Sequence, residues 1–283
     1  MAPLFGAVGW SVADDSLWLM EGAGNDFLVG VGSWSGRLAS DPKLVIRLCR
    51  RHRGIGADGV LALDVEEDAR VRLHYRNADG SHAQFCANGT RCAALAAVRL
   101  LDVPSKLVVI TDWAEIPAQV DGENVTLRLP TPGPAEQTAL EAIGRKWNGI
   151  VIEVGVPHLV IQVDDVAQSD FTEAAPALRR HPALGPGGAN VSFVSRGPDG
   201  TVGIRTFERG VESETLSCGS AMVAAGVIEM ADRDVNSARV RPASGDVLTV
   251  EDLGTGFGLT GPARFIAEVR PVEVGNLKLE TRN

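Results

Sequence analysis

Short runs of β-branched and other apolar residues alternate with turn clusters along both halves of the chain. Runs of this length and composition are typical of strands. The first half contains predicted strands at Phe27–Val29, Val60–Leu63, Arg72–Tyr75, Leu107–Ile110 and Val125–Leu129. The second half contains predicted strands at Ile150–Val154, His158–Val163, Asn190–Val194, Gly203–Phe207, Ala238–Arg241 and Leu248–Val250.

Helical periodicity is confined to fewer segments, and it predicts helices at Pro42–Arg51, Asn88–Leu101, Thr172–Arg180 and Gly219–Met230. Two of these segments, CANGTRCAALAAVRLL and CGSAMVAAGVIEM, are small and apolar on nearly every face. A helix without a polar face is buried, so we expect each to form the centre of a domain, wrapped by the strands of its own half. The pattern indicates a diverged duplication with a boundary at the Pro-rich segment 131–137.

The composition argues against several classes of protein. The chain has 283 residues and a net charge of −9 without long charged runs, which disfavours nucleic acid or an anionic membrane as a partner. Charges, glycine or proline interrupt every apolar run before the roughly 20 residues that a membrane helix needs. No basic residue precedes Met20, so no secretory signal is expected. Four cysteines are too few for a disulfide framework and favour a reducing cytoplasm.

The sequence contains one motif that resembles a cofactor-binding site, but its surroundings do not fit that function, and no residue spacing is typical of a metal site. Residues 54–59 (GIGADG) match the dinucleotide fingerprint G-x-G-x-x-G, but they follow a predicted helix instead of a strand. A helix C-terminal cap and turn are expected there. The five histidines lack the spacing of metal ligands, and none of the four lysines lies in a setting typical of a pyridoxal Schiff base. We therefore predict no metal and no cofactor.

The four cysteines fall into two kinds. Cys49 and Cys92 lie among apolar residues and are predicted to be inert core residues. Cys86 and Cys218 stand 132 residues apart, each at the start of one of the two apolar helices. Free N–H groups and the helix dipole stabilise a thiolate at such a position, so we expect a lowered thiol pKa. The same N–H groups can bind a carboxylate.

Two opposed thiols suit the inversion of a carbon stereocentre. A thiolate on one face removes the α-proton, and a thiol on the other face delivers a proton. Charge that develops on the substrate carboxylate is stabilised by the two helix N-termini.

Polar residues beside the strand-to-helix turns fit such a site, namely Asn25, Asn77, His158, Asn190 and the adjacent Glu208 and Arg209. An asparagine such as Asn77 can equally serve its own turn. Glu208 and Arg209 can equally form a surface ion pair.

Six motifs, in order along the chain, resemble those of the diaminopimelate epimerase family: GAGNDF (22–27), RHRGIGADG (51–59), YRNADGSHAQFCANGTRC (75–92), GVPH (155–158), ANVSFV (189–194) and RTFERGVESETLSCGS (205–220). The resemblance implies an α+β fold of two pseudo-symmetric domains, each a curled, mostly antiparallel sheet around a central buried helix. The site would lie in the cleft between them. A strand is expected at Leu17–Met20, and a homodimer is implied.

The predicted N-terminal domain covers residues 1–130, completed by a C-terminal strand at about 264–283, and the C-terminal domain covers 131–263. The resemblance implies a cofactor-independent epimerase that interconverts LL- and meso-diaminopimelate in lysine and peptidoglycan precursor synthesis. Cys86 and Cys218 match the catalytic thiols, and His158 and Glu208 match polar residues that support them. Residues that match substrate-binding positions are Ala87, Asn88, Gly219 and Ser220 for the α-carboxylate, and Asn25, Asn77, Asn190 and Arg209 for the amino and distal carboxylate groups.

The chain departs from the family pattern at four places. Val156 stands where asparagine is often found near the distal carboxylate, Gly59 where glutamine is frequent, and Ala87 where glycine is common. The loop 211–213 is one residue longer than a common form. These departures leave open a racemase of another amino acid, such as histidine. A separate alternative is an amino-acid-binding protein in which Cys86 and Cys218 lie close enough in a cleft to form a redox-switched disulfide.

Overall fold

Strands form most of the secondary structure in the computed structural model, which describes residues 16–67 and 69–272. The strands are β1 (Leu17–Gly22), β2 (Asn25–Gly30), β3 (Gly59–Val65), β4 (Arg70–Asn77), β5 (Lys106–Ile110), β6 (Glu115–Asp121), β7 (Asn124–Leu129), β8 (Glu136–Ala142), β9 (Arg145–Val154), β10 (Val156–Gln162), β11 (Asn190–Arg196), β12 (Val202–Phe207), β13 (Glu214–Thr215), β14 (Ser237–Arg241), β15 (Leu248–Asp252), β16 (Phe257–Pro262) and β17 (Arg264–Val269). The helices are α1 (Ser33–Ser40), α2 (Pro42–Cys49), α3 (Ala87–Leu100), α4 (Phe171–Arg179) and α5 (Gly219–Arg233). Every strand and helix predicted within residues 16–67 and 69–263 is present.

The strand order of the first half is repeated in the second. Strands β1 to β7 pair in chain order, with β2–β3 and β4–β5 parallel and the other pairs antiparallel. The second half repeats this sequence of parallel and antiparallel pairs in its strands β9, β10, β11, β12, β14, β15 and β16. The helices also correspond, since α3 follows β4 and α5 follows β12. The prediction of two pseudo-symmetric, mostly antiparallel units is confirmed.

The two halves are joined edge to edge. Strand β7 of the first half pairs with β16 of the second, and the hydroxyl oxygens of Thr126 and Thr260 lie 2.7 Å apart across this pair. Strand β17 returns to the first half and pairs with β1, while β8 pairs with β9 at the equivalent edge of the second half. One continuous ladder of strands therefore connects both halves.

The two central helices lie in one shared core. Helices α3 and α5 contribute to a single cluster of buried apolar residues that draws on strands of both halves. Helices α1 and α2 form a second cluster with β2 and β3, and α4 forms a third with strands of the second half. Cys92 is 0% exposed in the first cluster and Cys49 is 2% exposed in the second, which confirms both as core residues.

The glycine-rich segment 54–59 caps a helix, as predicted. The backbone N–H groups of Ile55 and Gly56 donate to the carbonyl oxygen of Leu48 at 2.9 and 3.0 Å, in the last turn of α2. A Cβ atom on Gly54 would clash with the carbonyl oxygen of Arg47. The glycines thus allow the chain to fold back tightly over the helix end.

The structure contains elements that the sequence pattern did not predict, and each lacks the usual signal. Helix α1 has glycine at its N-cap and no side-chain cap, and β6 contains Pro117, which normally argues against a paired strand. Strand β8 begins at Glu136, so the linker predicted at 131–137 ends before it. The expected C-terminal strand at 264–283 is described as far as Arg264–Val269, and residues 1–15 and 273–283 lie outside the described ranges.

No helix in the described ranges is both long enough and apolar enough to cross a membrane.

Candidate active site

The two cysteine-led helices meet at their N-terminal ends. Cys86 is the N-cap of α3, and Cys218 is the N-cap of α5. A Cβ atom on Gly219, the first residue of α5, would clash with the Cβ of Ala87, the first residue of α3. Because these two first turns are in contact, Cys86 and Cys218 come together where the two halves meet. The contact also shows how Ala87 is accommodated, since its partner carries no side chain.

A buried hydrogen bond fastens the two helix starts to each other. The side-chain amide of Asn88 donates to the carbonyl oxygen of Ser217 at 3.2 Å and lies 3.4 Å from the Ser217 hydroxyl. Asn88 is 2% exposed, so this bond is shielded from water. Ser217 directly precedes Cys218, and its position therefore sets where α5 begins relative to α3.

Both thiols have a pKa above the ordinary value for cysteine. Burial is the main cause for Cys86 and for Cys218, and the Glu208 carboxylate raises both further. The backbone N–H of Gly89, 3.5 Å from the Cys86 sulfur, acts in the opposite direction. The expectation of a lowered pKa is therefore wrong, because desolvation outweighs the helix N-terminus. Both thiols are protonated near neutral pH.

Glu208 lies beside Cys218 and is held by a neighbour that the sequence analysis missed. The Thr215 hydroxyl, on the short strand β13, donates to Glu208 Oε1. The carboxylate is also hydrogen-bonded to the Cys218 thiol, whose sulfur lies 3.5 Å from the Ser220 hydroxyl oxygen. Burial raises the pKa of Glu208. A carboxylate that accepts a hydrogen bond from a thiol is positioned to take its proton.

His158 is a neutral, buried imidazole. It is 0% exposed, and within the described part of the chain neither ring nitrogen has a hydrogen-bond partner. Burial and, to a lesser extent, the charge of Arg209 lower the pKa of His158 to about 3. Its strand β10 pairs with β11 so that His158 is opposite Asn190. Two unsatisfied buried nitrogens are costly, which marks this position as one with a use beyond packing.

Asn25 is oriented by a charged network on the first half. The Cys86 thiol points to Asn25 Oδ1 at 3.7 Å, and Asn25 Nδ2 donates to Asp58 at 2.6 Å. Arg51 in turn bridges Asp58 at 2.8 Å and Asp26 at 2.7 Å. The carboxylate of Asp58 can only accept from Asn25, so the amide oxygen is left to face the thiol.

Asn77 is held by Tyr75, a residue that the sequence analysis missed. The Tyr75 hydroxyl donates to Asn77 Oδ1 at 2.9 Å, and Asn77 Nδ2 donates to Ser81 at 3.0 Å. The Ser81 bond is the local turn contact that was the alternative interpretation of Asn77. Tyr75 also accounts for Gly59, because a Cβ there would lie 2.8 Å from the Tyr75 ring and 2.5 Å from the Arg76 carbonyl oxygen.

Asn190 and Arg209 are joined by a backbone contact. Asn190 Oδ1 accepts a hydrogen bond from the Arg209 backbone N–H at 2.7 Å, and Asn190 is 4% exposed. In the longer 211–213 loop, Glu212 forms ion pairs with Arg179 at 2.7 Å and Arg180 at 2.8 Å. The loop is therefore anchored to α4. Among the ion pairs of the described residues, none joins Arg209 to Glu208, so the surface-pair interpretation is wrong.

A cleft of about 650 Å³ opens between the halves beside the two helix N-termini. Its polar wall contains Asn190, Glu208, Arg209 and Ser220, all predicted site residues. A larger cavity of about 850 Å³ lies between β8, β9 and α5 and contains none of them. Residues 16–67 and 69–272 contain no group of three or more potential metal ligands.

Another part of the lining of this cleft is apolar and aromatic. Phe85 directly precedes Cys86 in the sequence, and Trp113 lies in the turn between β5 and β6. Their rings pack with centroids 4.8 Å apart. A Cβ on Gly155, in the β9–β10 turn, would lie 3.5 Å from the Trp113 ring, so Trp113 reaches across the cleft to the other half. Val156 lines the same wall. No motif or periodicity in the sequence identified Phe85 or Trp113.

Comparison with known proteins agrees with this geometry. The diaminopimelate epimerase family model matches residues 17–130 and 150–266. A diaminopimelate epimerase of Gemmatimonas aurantiaca is 41% identical over 218 residues, which are 74% of this chain and 77% of that protein. The diaminopimelate epimerase of Aquifex aeolicus is 34% identical over 270 residues, 89% of this chain and 96% of that protein.

Solved structures share the fold at lower sequence identity. A PhzF-family phenazine biosynthesis protein of Enterococcus faecalis has a TM-score of 0.69 at 18% identity, covering 89% of this chain and 97% of that one. A hydroxyproline epimerase of Agrobacterium vitis, with bound trans-4-hydroxy-L-proline, has a TM-score of 0.65 at 19% identity and covers 90% of each chain. The family match over most of the sequence, on a fold that brings two cysteine-led helices together, shows that this chain belongs to the diaminopimelate epimerase family.

Proposed function

We propose that this chain is a cofactor-independent epimerase that interconverts LL- and meso-diaminopimelate by transfer of the α-proton between two thiols, in lysine and peptidoglycan precursor synthesis. The contact of Gly219 with Ala87 carries the proposal, because it brings two N-cap cysteines from different halves to one place. The family match and the names of the relatives support the substrate.

The protonation states of the site residues suit an inversion by two thiols. Cys218 gives its proton to Glu208, with which it is hydrogen-bonded, and becomes the thiolate that one face of the substrate requires. The thiolate takes the α-proton, and the Cys86 thiol delivers its own proton to the opposite face. The roles are exchanged for the other stereoisomer. Each turnover leaves Cys86 as the thiolate and Glu208 protonated, and the return of that proton to Cys86 through solvent restores the starting state of the site. His158, buried and neutral in the same half, is proposed to support the site as a polar neighbour, because its lowered pKa makes it a poor proton acceptor.

The helix N-termini are the proposed site for the α-carboxylate. The first N–H groups of an α-helix have no acceptor within the helix. In α3 and α5 these groups belong to Ala87, Asn88, Gly219 and Ser220, from helices that meet head to head. Negative charge that builds up on the carboxylate during deprotonation is thus stabilised from both halves.

The remaining polar groups are proposed to hold the other end of the substrate. Arg209, on the cleft wall, has the planar fork that binds a distal carboxylate through two parallel hydrogen bonds. Asn190 fixes the Arg209 backbone, and Asn25 and Asn77 are assigned to the amino and carboxylate groups.

Deuterium exchange tests this proposal. Reduced enzyme in deuterated water should replace the α-hydrogen of LL- and meso-diaminopimelate and interconvert the two. Cys86→Ala and Cys218→Ala should each abolish inversion, whereas Cys49→Ala, a buried cysteine of the second cluster, should keep it. Normal turnover in either thiol variant would sink the two-thiol mechanism. Reduced protein that binds the amino acid without any exchange would favour the disulfide-switched binding protein.

Val156 and the aromatic wall favour one second candidate, a racemase of another amino acid such as histidine. Phe85 and Trp113 offer ring surfaces for a planar side chain where a second carboxylate would need polar contacts. A panel of free amino acids decides between the two activities. Diaminopimelate must be the poorest substrate of the panel for the second candidate to stand.

Three further assignments are part of the proposal. Residues 1–130 with 264–283 form one domain and 131–263 the other, supported by the pairing of β17 with β1. A cytoplasmic location follows from the need to keep both thiols reduced. A homodimer without nucleic-acid or membrane partners stays a prediction from the family resemblance and the net charge of −9.

A further inference from the structure

Arg91 is a fully buried charge close to the Cys86 thiol. It lies in the second turn of α3 and is 0% exposed. Within the described residues no carboxylate forms an ion pair with it, and its Nη1 atom has no hydrogen-bond partner. Glu21 and Asp246 act on it only through their charge, and a buried charge without a directly bonded counter-ion is expensive. Arginine also keeps its charge in proteins, so this cost is not relieved by deprotonation.

The contacts that Arg91 does make all lead to the second half. Its Nη2 donates to Asn88 Oδ1 at 2.8 Å, and its Nε donates to the carbonyl oxygen of Pro262, at the end of β16, at 3.3 Å. Asn88 uses its amide nitrogen to bind Ser217, directly before Cys218. Two consecutive hydrogen bonds, from Arg91 to Asn88 and from Asn88 to Ser217, therefore connect the interior of α3 to the start of α5.

The fold itself does not demand an arginine at this place. The position 132 residues later, which bears the same relation to Cys218 as Arg91 does to Cys86, is Val223. Val223 is 0% exposed in α5. Since a valine fills the equivalent site of the other half, the buried guanidinium has a role that packing alone does not explain.

We infer that Arg91 is a positioning residue that locks Asn88 onto Ser217 and onto the end of β16, and thereby sets the separation of the Cys86 and Cys218 thiols. The inference rests on the proposed two-thiol function. With the Asn88 oxygen occupied by Arg91, the amide nitrogen can only face Ser217, so the amide cannot flip. The positive charge also acts on Cys86, where burial raises the thiol pKa and Arg91 opposes that rise.

Two substitutions separate geometry from charge. Arg91→Met removes the positive charge and the hydrogen bonds to Asn88 and Pro262. Arg91→Lys keeps the charge, but its single amino group cannot bond to Asn88 and Pro262 together. Both should lower kcat, by about 10²-fold for a misplacement near 1 Å, with a smaller change in KM. The rate of Cys86 alkylation by iodoacetamide, followed against pH by mass spectrometry, should shift to higher pH in Arg91→Met and stay near that of the parent in Arg91→Lys.

Val223→Ala is the matched control, because it truncates the equivalent buried position of α5. It should lower Tm while keeping kcat and the alkylation profile. The inference is overturned if Arg91→Met folds and keeps the kcat of the parent. It is also overturned if the Arg91 variants and Val223→Ala lose the same amount of Tm and the same amount of kcat. If Arg91→Met does not fold, Arg91→Lys decides by the same criteria. Alkylation needs no amino acid, so it still applies if a wrong substrate assignment leaves the parent without turnover. An unshifted Cys86 alkylation profile in Arg91→Met would then overturn the inference.

Discussion

Replacing Gly219 with alanine tests the head-to-head contact of the two helices. The backbone of Gly219 is one that any L-residue adopts, since its φ does not lie in the left-handed region. At such a position the change from glycine to alanine stabilises a protein by about 0.4–1 kcal/mol. Without the contact, Gly219→Ala would therefore raise the free energy of unfolding.

The neighbouring helix reverses this expectation. The new Cβ would clash with the Cβ of Ala87, whereas non-bonded carbon atoms need about 3.5–4.0 Å. The helix starts must then separate by roughly 1 Å. Overpacking of this kind costs about 1–3 kcal/mol, which exceeds the gain from alanine. We expect a net loss of stability of about 1 kcal/mol or more and a fall in kcat of about 10²-fold.

The swap of the two side chains provides the decisive comparison. Ala87→Gly combined with Gly219→Ala returns one Cβ to the contact and should recover most of the lost stability and turnover. Gly36→Ala, in α1 with no atom within 4 Å of its Cβ, is the matched control and should not lower Tm. Urea unfolding and epimerase kinetics give both quantities. A single variant with parent stability and turnover, or a double variant no better than the single, would refute the contact.

Three other substitutions give distinct signatures. Val156→Asn adds a polar group to the cleft that Arg209 also lines and should lower KM for diaminopimelate about three- to ten-fold, checked by steady-state kinetics. Glu208→Gln removes the proton acceptor of Cys218 and should lower kcat by about 10²–10⁴-fold with little change in KM. His158 has its pKa lowered to about 3 when folded, so its contribution to stability is complete above pH 6.5 and is lost as the pH falls towards 3. The parent should lose about 2 kcal/mol between pH 7 and pH 5 through this group, and urea unfolding of His158→Leu should lack that loss.

The sequence was sufficient for features that depend on local pattern. The apolar surface of the two helices and the cysteines at their starts predicted the duplication, because burial on all faces is visible in a single segment. Asn190 and Arg209 were likewise identified by their motifs, and the structure places both on the cleft wall.

Features that depend on contacts between distant segments could not be predicted in this way. The thiol pKa was predicted in the wrong direction because the helix N-terminus is local, whereas desolvation comes from the whole core. Gly59 looked like a lost polar group, but the Arg76 carbonyl oxygen and the Tyr75 ring on the neighbouring strand leave no room for a side chain there. Trp113 reaches the cleft only because the two halves pack together, and its own turn carries no signal for this.

The two pseudo-symmetric halves place different chemical groups around the two thiols. In the first half, Phe27 is paired with Gly59 between two parallel strands. The equivalent pair of the second half is His158 with Asn190, so His158 takes the place of Phe27 and Asn190 that of Gly59. The titratable Glu208 and His158 thus belong to the half of Cys218, while Cys86 faces the neutral amide of Asn25. An inversion needs one thiolate and one thiol, and two identical halves could not decide which is which. Because each cysteine takes either role according to the stereoisomer, the divergence of the halves makes the two directions of inversion unequal: Glu208 lies beside Cys218, whereas the Cys86 thiol points to the Asn25 amide.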